Sequence, residues 1–280
     1  MQLPAKSSVI GTMQYIIPNS GIDVSYLAYA MEFMNLSKYY TGATIPHIYF
    51  KDYCLEPIPE HSQEEQQRIA AVLDKVSDLI ALRKQQLAKL DELVKARFVE
   101  MFGDPVSNPM GWVIQSWSEV FQTTTGKLDS NAAVVNGEYP FFTCAKEWLW
   151  IDKYAFDCEA LLLSGNNAAG VYDVKYYCGK FNAYQRTYVL RLNKKEWSYQ
   201  VFKLQLENRL QHLQNQSKGT NTRYLTLGIL NALSFIIPPV NMQKQFAAFV
   251  EQVNKSKATV QQGLDKLETL KFALMQEYFG

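Results

Sequence analysis

Residues 62–103, SQEEQQRIAAVLDKVSDLIALRKQQLAKLDELVKARFVEMFG, decide the fold. Ile69, Leu73, Val76, Ile80, Leu87, Leu90, Val94 and Met101 follow a rhythm of four and three, interrupted only by Arg83 and Arg97. That period winds a narrow apolar seam along one face of a helix, the pattern of a coiled coil. Ser62 and Glu65 have the S-x-x-E spacing of a capping box, which predicts the helix start. Gly103, with Pro105 just beyond, predicts its end. At about 1.5 Å per residue the rod would be roughly 60 Å long, too long for the interior of a small domain. Its seam needs a partner.

The last forty residues, NMQKQFAAFVEQVNKSKATVQQGLDKLETLKFALMQEYFG, supply one. Phe246, Val250, Val253, Val260, Leu264, Leu267 and Leu274 carry the same rhythm, and Lys257 and Lys271 interrupt it. Each position lies 177 residues after its counterpart: Ile69 and Phe246, Leu87 and Leu264, Gly103 and Gly280. Upstream, Thr41-Gly42-Ala43-Thr44 steps by 177 onto Lys218-Gly219-Thr220-Asn221, and prolines follow in both places (Pro57 and Pro59; Pro238 and Pro239). The chain therefore contains an internal repeat whose second copy is whole and whose first lacks its front. The fold class expected is α+β, a mixed domain with two long helices whose seams pair as a coiled coil.

The expected organisation is a partial domain at 1–59, a long helix at 60–104, a complete domain at 105–240 and a second long helix at 241–280. In the first part, a strand is predicted at 15–18, a helix at 24–36 and a strand at 47–50. Residues 104–112, DPVSNPMGW, read as a turn-rich linker. Strands follow at 139–143, 160–163, 171–177 and 187–192, then a helix at 199–214 and a strand at 233–237.

The 28 basic and 27 acidic residues nearly cancel, so the chain is no general polycation and any nucleic-acid contact must come from local patches. Cys54, Cys144, Cys158 and Cys178 form no C-x-x-C pair, and none has a histidine at zinc spacing. Buried free thiols are expected. With no leader and no apolar run of membrane-spanning length, the sequence reads as a soluble cytoplasmic protein without a membrane partner.

Catalytic patterns are thin. The glycines of Gly165-Asn166-Asn167-Ala168-Ala169-Gly170 have phosphate-loop spacing, but Val171-Tyr172 stand where Lys-Ser/Thr is required. Ile237-Pro238-Pro239-Val240 lacks the polar and aromatic residues that an amino-methyltransferase uses to hold its base. Asp157 or Glu159 with Asp173-Val174-Lys175 would make the carboxylates and lysine of a magnesium-dependent nuclease. A surface pairing of Asp173 with Lys175 is the plainer reading. The three histidines, His47, His61 and His212, are scattered. No catalytic residue, metal ligand or cofactor of the chain's own is expected.

Binding chemistry is better represented. Four polar loops with small residues lie in or beside the complete domain: 123–131 (TTTGKLDSN), 164–167 (SGNN), 183–187 (AYQRT) and 217–223 (SKGTNTR). Glycine lets backbone N–H groups approach a phosphate closely. Lys127, Lys218 and Arg223 can neutralise phosphates, while Arg186 and Arg223 can also fork onto guanine and Asn or Gln onto adenine. The candidate contact set is Lys127, Asn131, Ser164, Gly165, Asn166, Asn167, Tyr184, Gln185, Arg186, Lys218, Gly219, Thr220, Asn221 and Arg223, with Asn166, Asn167, Gln185 and Arg186 as base readers. A solvated turn is the alternative for each loop taken singly. Recurrence of the Gly-Thr loop before both long helices favours function.

The segment from Ile58-Pro59-Glu60 into the long helix, its C-terminal echo, TGAT at 41–44 and KGTNT at 218–222 together resemble the specificity subunit of type I restriction–modification enzymes, over nearly the whole chain. The resemblance implies two target-recognition domains of mixed α/β structure separated by long antiparallel helices, each domain reading half of a split double-stranded DNA site. It implies methyltransferase and restriction (motor) subunits as partners that do the chemistry and hold S-adenosylmethionine, ATP and magnesium. A stiff rod of roughly 60 Å suits two reading heads on DNA whose turn is about 34 Å. Outward residues such as Glu64, Glu65, Asp74, Asp78 and Glu92 would then face partners. The departure is the single complete domain. Homodimerisation would restore two heads and make the site symmetric; a truncated or recombining gene product, or an engineered fragment, would account for it equally. Outside this family, a coiled-coil scaffold that binds protein is the rival reading.

Overall fold

The computed structural model describes residues 7, 8, 11, 13–42 and 47–280. Ala43 and Thr44 of the first Gly-Thr loop lie outside them. By contacts the chain falls into two compact units, Met1–Leu90 with Ser256–Gly280, and Asp91–Lys255.

In the first unit, α1 (Val24–Phe33) starts at Asp23, whose side chain accepts the Tyr26 N–H. It ends sooner than predicted because Asn35 adopts a left-handed conformation (φ 50°) and a 3₁₀ turn, Leu36–Tyr39, follows. The predicted strand at 15–18 does not form: these residues join no ladder among the described residues. That at 47–50 reduces to an isolated bridge between Thr41 and His47, and Phe50 opens the short helix α2 (Phe50–Tyr53). The unit also takes residues 63–90 of the long helix α3 (Gln63–Phe102) and residues 256–279 of the last helix, α8 (Val240–Phe279). Ile69 and Leu73 pack with Met275 and Phe279 beneath Tyr26, Tyr29 and Ala30 of α1. Lys84 meets Glu268 at 2.9 Å. The start of α3 therefore lies against the end of α8, so the pairing is antiparallel.

The helix boundaries follow the sequence signals. Ser62 Oγ accepts the Glu65 N–H at 3.2 Å, but the Glu65 carboxylate turns to Arg68 instead of closing the box. Gly103 takes the left-handed conformation (φ 74°) that ends α3. Ile69, Leu73, Val76, Phe246, Val250, Val253 and Leu264 are buried as the seam requires. In the last turns Phe98 and Phe102 displace Met101, and Met275 and Phe279 displace Leu274. These pairs are also 177 residues apart, so burial repeats with the sequence.

The second unit begins with the linker and β1 (Val113–Ser116), which pairs antiparallel with β10 (Ser234–Ile237). After α4 (Trp117–Val120) comes a six-stranded sheet of order β2-β8-β5-β7-β3-β4. Its strands are β2 (Phe121–Thr125), β3 (Tyr139–Phe142), β4 (Leu149–Ile151), β5 (Phe156–Ser164), β7 (Val174–Ala183) and β8 (Thr187–Leu192). Its pairs are antiparallel except β3 with β7. The central strand β5 is apolar on both faces, as a doubly covered strand must be. Leu161 and Leu163 join Trp117, Phe121, Phe202, Leu206 and Phe235 on one side, and Ala160 and Leu162 join Phe142, Phe181 and Val189 on the other.

The predicted helix at 199–214 is broken into α5 (Tyr199–Glu207) and α6 (Leu210–Gln216), with the Asn208 side chain donating back to Leu204 O at the break. A short ladder joins β6 (Asn166–Asn167) to β9 (Arg223–Tyr224), and α7 (Leu227–Asn231) leads into β10. At the base of the unit, Phe98, Phe102 and Phe246 meet edge to face at 5.1–5.7 Å, with Val201 and Leu204 of α5 and Ile236 packed on them. The cysteines are all unpaired, but none is buried: Cys54 and Cys178 are exposed, Cys144 and Cys158 half-buried. Cys158 packs against the Phe142, Leu162 and Phe181 cluster without being fully covered, so the buried thiols expected are not found.

Candidate nucleic-acid interface

The four polar loops of the second unit converge on one edge. Gly126 is pressed so closely on the end of β7 that a Cβ there would lie 1.7 Å from Ala183 O, so only glycine fits. This contact seats the 126–131 segment beside the β7–β8 turn. Leu128 bridges Tyr184 in parallel, Gln185 N donates to Leu128 O at 2.9 Å, and Gln185 Nε2 reaches Asp129 at 3.4 Å. The turn closes through Thr187 N to Tyr184 O at 2.8 Å and leaves Gln185 and Arg186 exposed. Arg186 O accepts Gly165 N at 2.8 Å, and Gly165 O accepts Leu225 N at 2.8 Å. Asn166 and Asn167 then pair with Tyr224 and Arg223. Lys218 and Tyr224 exchange two backbone bonds, at 3.0 and 2.8 Å, across a hairpin in which Gly219 is left-handed (φ 96°).

Residues far apart in sequence thus form one continuous rim: 127–131, 184–186, 165–167, 223–224 and 218–221. Lys127, Asn131, Gln185, Arg186, Lys218, Gly219, Thr220 and Asn221 are exposed on it, and Asn166, Tyr184 and Arg223 are half-buried. Lys127, Arg186, Lys218 and Arg223 have no carboxylate partner among the described residues, whereas Lys175 and Lys203 of the same unit are paired with Asp173 and Glu207. Four cations without an ion-pair partner, against the one rim carboxylate Asp129, make a local positive patch on a chain of near-zero net charge.

Three predicted contact residues hold the scaffold of the rim. Ser164 is 2% exposed, and its hydroxyl accepts the Asp173 N–H at 2.8 Å. Gly165 is buried, and a Cβ there would meet Arg186 O at 2.3 Å. The Asn167 side-chain oxygen accepts from Ala169 N at 2.8 Å and Val171 N at 3.3 Å, so it shapes its own turn. Residues 123–125 belong to β2, so the first loop starts at Gly126. The sequence reading missed the 144–148 turn. Cys144 Sγ lies 3.5 Å from Arg186 O, Lys175 Nζ donates to Ala145 O at 2.8 Å, and Lys146 and Trp148 are exposed beside the rim. A cation and an aromatic within one turn were the available signal.

The nuclease grouping comes apart. Asp157 faces Lys180 in the β5–β7 ladder while Lys175 faces Leu162, five residues along β5, or about 16 Å. Lys175 is spent on Asp173 and Ala145, and Glu159 accepts the Tyr176 hydroxyl at 2.7 Å. Among the described residues no three His, Cys, Asp or Glu side chains are grouped to hold a metal ion, and no helix is long and apolar enough to cross a membrane.

The family model of the type I restriction modification DNA specificity domain matches residues 109–269, which hold the sheet, the rim and most of α8. The chain belongs to this specificity family. The specificity subunits of type I restriction enzymes to which it is similar are non-catalytic DNA-recognition proteins. The specificity subunit of the type I restriction enzyme EcoDI of Escherichia coli is 37% identical over 160 residues, 55% of this chain and 34% of that protein. That of the MjaIX enzyme of Methanocaldococcus jannaschii is 25% identical over 304 residues, 93% of this chain and 69% of that protein. The chain thus spans about a third of the one and about two thirds of the other. The S subunit of a type I system from M. genitalium shares the fold, with a TM-score of 0.62 at 15% identity over 93% of this chain and 73% of that one. A chain from a type I restriction–modification assembly aligns with a TM-score of 0.51 at 19% identity, covering 91% and 69%.

Proposed function

We propose that this chain is the sequence-reading component of a type I restriction–modification complex, and that the rim of the second unit reads one part of a bipartite double-stranded DNA site. The observation that carries this reading is the gathering of Lys127, Arg186, Lys218 and Arg223, all without acidic partners, along one edge built from five separate segments. Lys127 and Lys218 contact phosphates; Asn166, Gln185, Arg186 and Arg223 reach base edges, where bidentate pairing discriminates by about 1–3 kcal/mol per base. The outward faces of α3 and α8 dock the methyltransferase and restriction subunits, which hold S-adenosylmethionine, ATP and magnesium. Of the acidic residues expected to face partners, Asp74 is already engaged by the Tyr29 hydroxyl at 2.7 Å and Glu65 by Arg68. Pairing of two copies would supply a second reading head.

The test is the methylation pattern left on a genome when the chain is co-expressed with a type I methyltransferase subunit. It reports the two half-sequences, their spacing and their symmetry together. One recurring split motif is the expected result; no motif, or binding that bulk duplex DNA does not compete and salt does not weaken, would favour a protein scaffold.

A further inference from the structure

Two glutamines lie almost wholly inside the protein, and they are repeat counterparts. Gln66 is 3% exposed and Gln243 0%. Each stands in the first turn of a long helix, three residues before the first seam residue, Ile69 or Phe246. Gln243 Oε1 accepts the N–H of Ser198, the N-cap residue of α5, at 3.0 Å, and its Nε2 donates to Pro238 O at 2.8 Å. Gln66 Oε1 accepts the N–H of Asp23, the N-cap residue of α1, at 2.8 Å. Its Nε2 donates to His61 O at 2.9 Å, with Gly21 O at 3.3 Å, and His61 is the counterpart of Pro238. A second tie recurs as well: Gln205 Nε2 donates to Ile236 O at 3.0 Å, and the Tyr26 hydroxyl donates to its counterpart Pro59 O at 2.8 Å.

Burying a primary amide is costly unless its donors and acceptor are satisfied, and an apolar residue would fill a seam position more cheaply. Neither glutamine contacts the rim. What each does is tie the start of a lobe helix to the root of a spacer helix by directional bonds, which apolar packing alone does not provide. We infer that Gln66 and Gln243 are positioning residues that fix the angle of a recognition lobe on its spacer helix, and through it the number of unread base pairs tolerated between half-sites. This rests on the DNA-reading role proposed above.

Gln243→Met keeps the volume and removes both bonds. In the full chain it should speed amide exchange at Ser198 at least tenfold while β5 and β7 exchange as before. With the methyltransferase subunit it should leave both half-sequences unchanged but admit sites whose spacer differs by one base pair, to within about threefold of the original. Gln243→Glu, which still accepts from Ser198 but cannot donate to Pro238, should recover part of the spacing preference; a side chain that merely filled space would show no such recovery. If Gln243→Met does not fold, Gln66→Met, read by exchange at Asp23, carries the same test. Unchanged exchange at the cap amide, or a single spacer kept at wild-type strictness, would overturn the inference. A wild-type chain that directs no methylation would remove the DNA reading and the spacing claim together, while the exchange measurement still reports on the latch.

Discussion

The two copies of the repeat share a base and differ in what stands on it. In the second unit, α5 rests on Phe246, Phe98 and Phe102 through Val201 and Leu204, and turns Phe202 and Leu206, both fully buried, toward the sheet. In the first unit, α1 rests on Ile69, Leu73 and Phe279 through Tyr26 and Tyr29. Counted from the N-cap residues Ser198 and Asp23, the positions of Phe202, Leu204 and Leu206 in α5 fall on Leu27, Tyr29 and Met31 in α1; Leu27 and Met31 are only half-buried, and no sheet covers them among the described residues. Tyr15, Ile17 and Val24 nearby are exposed. The base is therefore made by the long helices and the buried glutamine whether or not a recognition sheet is mounted on it. Spacer and reader are separable layers, and the polar rim is built only on the second.

The largest effect should come from the shared base. Phe246→Ala opens a cavity among three aromatic rings, and about 3–5 kcal/mol of stability should be lost. Its counterpart Ile69→Ala should cost about 2–5 kcal/mol. Chemical denaturation checks both. If the base is common, each should be severely destabilising; a mild Ile69→Ala beside a severe Phe246→Ala would show that the first copy is only loosely held. Amide exchange sharpens the same contrast: the described residues of 13–60, with one three-turn helix and no ladder among them, should exchange ahead of β5, β7 and β8, each of which is paired on both sides.

Next in size is the seating of the rim. Gly126→Ala forces a Cβ into Ala183 O, and strain of this kind costs about 1–3 kcal/mol. The substitution should weaken DNA binding in proportion, because the 126–131 segment and the 184–186 turn move apart. Loss of stability with unaltered binding would mean that the first segment is not part of the reader.

Side chains on the rim should separate into two kinds. Arg186→Ala should lose about 1–3 kcal/mol at one base pair while sparing non-specific binding. Lys218→Ala should weaken every sequence alike and lower the salt slope by about one. Equal loss on specific and random DNA would move Arg186 to the phosphate group.

The sequence carried these layers unequally. A forty-residue seam, bounded by Ser62 and Gly103 and echoed at a constant step, is local periodicity and can be read directly. So can the loops, because glycine, asparagine and lysine cluster in them. The strands Val113–Ser116 and Phe121–Thr125 went unread because partners far along the chain define them: Val113 pairs with Ile237, Phe121 with Leu192. Exposure failed for a similar reason. Ser164 and Gly165 look like loop residues in sequence, yet the strand continues through Ser164 and the Arg186 turn closes over Gly165. Which residue of a polar loop faces out is set by what it packs against, and that information is non-local.

The smallest effect distinguishes the two bases from each other. Tyr29 occupies in the first copy the place of Leu204, and so brings a phenol to an apolar contact. Burial, with the hydrogen bond to the Asp74 carboxylate adding to it, pushes the Tyr29 phenol up to about 12 from its ordinary 10.0. A pKa raised on folding means that the folded state holds the proton more tightly. The contribution is therefore complete below pH 10 and is lost as pH rises from 10 toward 12. The first unit should lose stability across that window relative to Tyr29→Phe, which has no proton to surrender, and the two should run parallel at neutral pH apart from the bonds to Asp74 and Ser77. Cap-amide exchange at Asp23, followed against pH in both proteins, reads this locally. Ser198 serves as the internal control, because its neighbour Tyr199, whose phenol is also pushed up by burial, titrates alike in both proteins.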